Sequence, residues 1–150
     1  MYKAMDVAKY VIDFCTRRGT PVSNLQLQKI LYYIQINFYR RFEEFAFFDD
    51  IQAWRYGPVV ADVYERYSRN GSADICEYYD DAEDIFEYEE DVQLAEMVIR
   101  ACLRKSPWDL VALTHRKGGP WDKTYRNGLG DKDIIPKEYL IHYANNRNGE

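Results

Sequence analysis

The sequence predicts a mainly α-helical fold: one compact single-domain bundle of about six or seven helices spanning residues 1–150, with room for a short β hairpin or extended pair. Three observations lead there. Apolar residues recur at helical spacing along most of the chain. The periodic segments are bracketed by helix start and stop residues, Ser or Pro before and Gly after. A length of 150 residues, 47% hydrophobic and 16% aromatic, suits a single core.

The elements follow in order. Residues 3–18 read as a first helix, with Val7, Ala8, Val11, Ile12 and Cys15 on one face. Arg17 and Arg18 suit its C-terminal end, Gly19 stops it and Pro21 blocks continuation. Ser23 caps a second helix, with Gln26 placed to complete a capping box. Leu27, Ile30, Leu31, Ile34 and Phe38 form its stripe, widened by Tyr32, Tyr33, Ile36 and Tyr39, so this helix is expected to be the most buried. Phe42 to Trp54 lacks helical regularity and reads as a loop with a short extended piece at 51–54. Gly57-Pro58 is expected to open the next helix, with Pro58 at its first position, and Asn70-Gly71 to end it. Residues 76–88 are a candidate strand partner for 51–54 within an acidic stretch of otherwise ambiguous structure. Residues 91–104 are helical, with Ala95, Val98, Ile99 and Cys102 on one side. Ser106-Pro107 starts a short helix that runs out near His115, Pro120-Trp121 opens another turn, and Pro136 begins a last helix to about Ala144. Residues 145–150 read as a polar tail.

Net charge is −5 and the pI about 5.1, which argues against a general nucleic-acid binder. The charge is uneven: residues 71–99 carry eleven acids and no Lys or Arg, leaving a mildly basic remainder. Such a run is either a solvated surface or a docking strip for a basic partner; Asp80, Asp81, Asp84 and Glu87 are its candidate contacts. Three scattered cysteines fit neither a disulfide framework nor a paired zinc site and point to reduced thiols. No apolar run approaches the ~20 residues that span a bilayer, and the N-terminus lacks a signal-peptide pattern, so a cytoplasmic, membrane-free protein is expected.

Catalytic chemistry finds little support. His115 stands at a helix C-terminus, where the dipole favours its charged form, and a cap or buried hydrogen-bonding role competes with a catalytic one. No nucleophile is named beside it, and adjacent Thr114 faces away. The acids lack a calcium-loop spacing, and neither metal nor cofactor is expected. The glycines at 118–119 and 128–130 are too short for a phosphate loop. Lys29, Arg40 and Arg41 read as a solubilising face. Trp54, Tyr56, Trp108 and Trp121 read first as core at helix starts and second as a partner surface, an option that Arg55 between two aromatics keeps open.

Four segments resemble one family in order and spacing. They are Asp6-Val7-Ala8-Lys9-Tyr10-Val11-Ile12, then Leu25 to Tyr33, then Ile51 to Val60 with Trp54-Arg55-Tyr56-Gly57-Pro58, then Thr114-His115 followed by Gly119-Pro120-Trp121. Together they are similar to the Panacea domain of prophage-associated, SocA-like antitoxins, over roughly residues 4–143. The resemblance implies a non-enzymatic antitoxin that binds and neutralises a toxin encoded beside it. In one branch of the family the antitoxin is instead a proteolytic adaptor that delivers its toxin to an AAA+ protease. A small hydrolase or nuclease built on His115 is the enzymatic alternative. The resemblance carries over no catalytic residue; Gly57, Pro58, Thr114, His115, Pro120 and Trp121 enter as motif positions, and Trp54, Arg55 and Tyr56 as candidate partner contacts.

Overall fold

Ser23 caps the second helix as its sequence requires: its Oγ accepts from the Gln26 amide, and the Gln26 side chain accepts from the Ser23 amide. The computed structural model describes residues 1–146. In it α2, Asn24–Phe42, runs through the middle of the molecule and packs against α1 (Ala4–Arg17), α4 (Glu89–Leu103), α5 (Pro107–Thr114) and α7 (Lys137–Asn145). α3 (Ala61–Arg66) and α6 (Pro120–Tyr125) complete seven α-helices among the described residues. The core joins Val7, Val11 and Ile12 of α1, Leu27, Ile30, Leu31 and Ile34 of α2, and Ala95, Val98 and Ile99 of α4. These are the periodic positions the sequence marks. The polar tail falls mostly on 147–150, outside the described residues.

α2 also buries Asn24, Gln28, Lys29 and Gln35. The amides serve irregular backbone around the helix. Gln35 accepts from the amides of Ala46 and Phe47 and donates to the Phe47 carbonyl. Gln28 accepts from the Val60 amide, and Asn24 donates to the Tyr64 carbonyl. Loop groups that strands or helices leave unpaired are thus satisfied from the central helix.

Strand structure departs from expectation in two ways. β2 (Gln52–Trp54) pairs antiparallel with β3 (Gly57–Val59), not with 76–88, in the register Gln52 to Val59, Ala53 to Pro58 and Trp54 to Gly57. β4 (Asp74–Ile75) instead pairs with β1 (Val22–Ser23). Gly57-Pro58 therefore opens no helix; α3 starts at Ala61 with Val60 as cap. Pro58 is tolerated because its partner needs nothing from it. The Ala53 amide donates to the Asp133 carbonyl, and the Ala53 carbonyl accepts from the Lys132 amide. Gly57 carries φ +129°, while Arg55 and Tyr56 avoid positive φ, so the reversal is completed at the glycine. Pro107 and Pro120 do open α5 and α6, whereas Pro136 caps α7 from outside.

Candidate interaction site

The two aromatic glycine-proline motifs, far apart in sequence, meet at the tip of the β2–β3 hairpin. Trp121, on the first turn of α6, donates from Nε1 to the Trp54 carbonyl at 2.7 Å. Its indole lies flat on the His115 ring, centroids 3.7 Å apart and planes 4° apart, and also stacks with Tyr125 at 4.6 Å. Beneath the tip, Lys29 of α2 donates from Nζ to the Tyr56 carbonyl at 2.7 Å. Thr114 is buried, and its Oγ1 donates to the Val111 carbonyl. A side chain at Gly57 would place its Cβ 3.1 Å from Lys29 Nζ and 3.2 Å from Thr114 Oγ1, so the glycine is required by both space and φ. The Gly118 amide is held by Asp122, and Thr124 donates to the Pro120 carbonyl, which fixes the entrance of α6.

Lys29 is a correction to the solubilising face. It is 1% exposed, and burial pushes its pKa down to about 8. No carboxylate lies within ion-pair reach of it among the described residues. His115 is likewise corrected: burial, then the nearby Lys29 ammonium, lower its pKa, although contact with the backbone of Tyr56 works the other way. Desolvation and a like charge thus work against the cation that the helix-end location alone would favour. Its Nε2 is buried without a hydrogen-bond partner. The signal that could have exposed Lys29 is its setting. It follows Gln28 in a helix apolar around so much of its circumference that a polar residue there meets protein rather than water.

Above this buried layer the tip faces solvent. Trp54 is half-buried, packed on Tyr64 at 5.0 Å, with Lys132 over its ring and its Nε1 donating to Gln52. Arg55 is exposed and lies over the Tyr56 ring, which is itself 50% exposed. Trp108 is 72% exposed on the first turn of α5, so it is no part of the core. Tyr56, Tyr64, Trp108 and Val111 line a surface groove of about 460 Å³ that ends on the start of α2.

The acidic candidates lie elsewhere. Among the described residues no hydrogen bond, ion pair or ring contact links them to the tip. Asp80 reaches Arg17 of α1 at 3.9 Å. Asp81 and Asp84 are exposed around a single 3-10 turn, Ala82–Asp84, and Glu87 lines a different concavity. No cluster of three or more metal-binding side chains occurs among the described residues, and none of their helices is long and apolar enough to cross a membrane. Cys15 and Cys102 are buried and Cys76 exposed, all free.

The model of the Antitoxin SocA-like, Panacea domain family matches residues 27–122. That span holds Lys29, the hairpin, His115 and Trp121. The chain belongs to this family. It is 32% identical over 136 residues to the protein named Antitoxin SocA of Caulobacter vibrioides (strain NA1000 / CB15N), covering 85% of this chain and 72% of that protein. No solved structure matches it. In this chain Lys29 of α2 holds the Tyr56 carbonyl and Trp121 of α6 the Trp54 carbonyl, on either side of Arg55, while His115, just past the end of α5, stacks on Trp121, so this layer underlies the hairpin tip.

Proposed function

We propose that this chain is a non-enzymatic antitoxin, which neutralises by direct protein–protein binding a toxin encoded beside it. The carrying observation is its membership of the Antitoxin SocA-like family, with a relative of that name aligned over most of its length. The hairpin tip supports the binding mode. Trp54, Arg55 and Tyr56, with Trp108 across the groove, offer the residue types that dominate binding energy on a turn held rigid from beneath. Chemistry at His115 is poorly served: one ring face is covered by Trp121, and the neighbouring Thr114 hydroxyl is spent on Val111. A cytoplasmic location goes with this reading.

Co-expression of the neighbouring gene with and without this chain tests it. The toxin alone is expected to arrest growth, and this chain to restore it. With purified components, stoichiometric inhibition of the toxin without any protease is expected, and Tyr56→Ala with Trp108→Ala should speed dissociation about tenfold or more. Absence of rescue refutes the antitoxin role. Rescue that depends on an AAA+ protease replaces direct blocking with delivery for degradation.

A further inference from the structure

The end of α2 and the start of α4 enclose a second concavity, of about 420 Å³, walled by Tyr2, Phe38, Phe42, Phe45 and Tyr88 and rimmed by Glu44, Glu87, Glu90 and Asp91. Its lining contains no Lys, Arg or His. Asp91 is occupied by the Tyr2 hydroxyl, and that hydroxyl accepts in turn from the Glu87 amide, so the rim and wall are held in place. Tyr2 meets Phe86 edge-on at 5.0 Å, and Phe38 meets Phe42 edge-on at 5.5 Å. Glu44, Glu87 and Glu90 have no ion-pair partner among the described residues.

Folding alone does not account for this arrangement. Glu90 and Asp91 sit on the first turn of α4, where the helix dipole welcomes them. Glu87 lies before that helix, and Glu44 lies just past the C-terminus of α2, where an acid is disfavoured. Phe42 and Tyr88 leave large ring areas in water, Tyr88 at 61% exposure. Like charges, a misplaced acid and wet aromatics thus coincide at one concave place. A cation resolves all three: low-dielectric walls focus the carboxylate field, and ring faces attract the cation directly.

From this we infer that the concavity receives an arginine side chain on a basic segment of a protein partner. Arginine fits better than lysine because its flat guanidinium can lie on a ring while bonding two carboxylates at its edge. The inference rests on the antitoxin reading only for the partner's identity, which would then be the toxin.

The test uses the full chain and an oligo-arginine peptide at low salt, followed by fluorescence anisotropy. Glu44→Gln with Glu87→Gln and Glu90→Gln keeps the pocket's shape and removes three charges. Glu65→Gln with Asp131→Asn and Glu138→Gln removes three exposed charges elsewhere. The pocket variant is expected to weaken binding about tenfold more than the control variant. It should melt no lower than the parent, since relief of like-charge repulsion offsets the dipole stabilisation lost at Glu90. Equal weakening by the two variants reduces the effect to net charge and overturns the inference. So does a lowered melting temperature for the pocket variant, which would give these acids a structural role. Growth rescue by the parent chain reports on the antitoxin reading separately.

Discussion

Replacing Lys29 with Met probes the layer beneath the hairpin. Burial lowers the lysine from its ordinary value of 10.5 to about 8, so the folded protein holds its proton less tightly than the unfolded chain does. At pH 7 both states are protonated, and the buried ammonium costs on the order of 3 kcal/mol relative to an unshifted lysine. The unfolded state binds more protons between pH 8 and about 10, so this contribution makes the folded state more stable as pH rises through that window. Methionine of similar length removes the ammonium cost but forfeits the 2.7 Å bond to Tyr56, a bond to a charged donor being worth about 1.5 to 3 kcal/mol. The two effects nearly cancel at pH 7, where Lys29→Met should lie within about 1 kcal/mol of the parent. By pH 10 the folded lysine is neutral and still donates, so the difference should shift toward the parent by on the order of 2 kcal/mol. Cys15, Cys102 and the buried tyrosines are pushed up by burial and lower stability above about pH 9, but they are common to both proteins and cancel in the difference. Urea denaturation at stepped pH, with reductant present, reads it. A difference that stays flat from pH 7 to 10 would refute the picture of an unpaired buried ammonium.

Gly57→Ala should cost about 2 kcal/mol or more, because it adds a Cβ 3.1 Å from Lys29 Nζ at a φ of +129°; a thermal melt unchanged from the parent would contradict the packing described. Trp121→Phe keeps an aromatic ring on His115 but loses the bond to the Trp54 carbonyl, for about 1 to 3 kcal/mol, whereas Trp121→Ala should lose about 3 to 5. Denaturant midpoints separate these, and a phenylalanine variant as stable as the parent would show that the indole bond contributes nothing.

Much of the helical frame was legible. Ser23 with Gln26, Ser106 with Pro107, and Pro120 after Gly119 are start signals whose effect lies within one turn, and each operates where the sequence puts it. Gly57-Pro58 misleads for the same local reason. Proline fits the first turn of a helix and equally a strand position that owes no hydrogen bond. The choice was made by Lys132 and Asp133, more than seventy residues away, which take up the Ala53 backbone groups. The site residues divide along the same line. The Trp54 to Pro58 and Thr114 to Trp121 motifs are visible as composition, but nothing in either shows that Trp121 bonds the Trp54 carbonyl. Lys29 escaped because a lysine on an isolated helix is most stable in water.

By itself, then, the sequence determined where helices start, which faces are apolar and which family the chain resembles. These depend on neighbours within a turn or two, or on residue order alone. Tertiary structure decided that Lys29 is buried and His115 less basic. It also decided that Trp108 is a surface residue, and that Glu44 and Glu87 share a concavity although forty-three positions separate them in the chain. Burial and charge proximity depend on which distant segments pack together. That is set by the summed packing of α2 against its neighbours, and no local spacing along the chain encodes it.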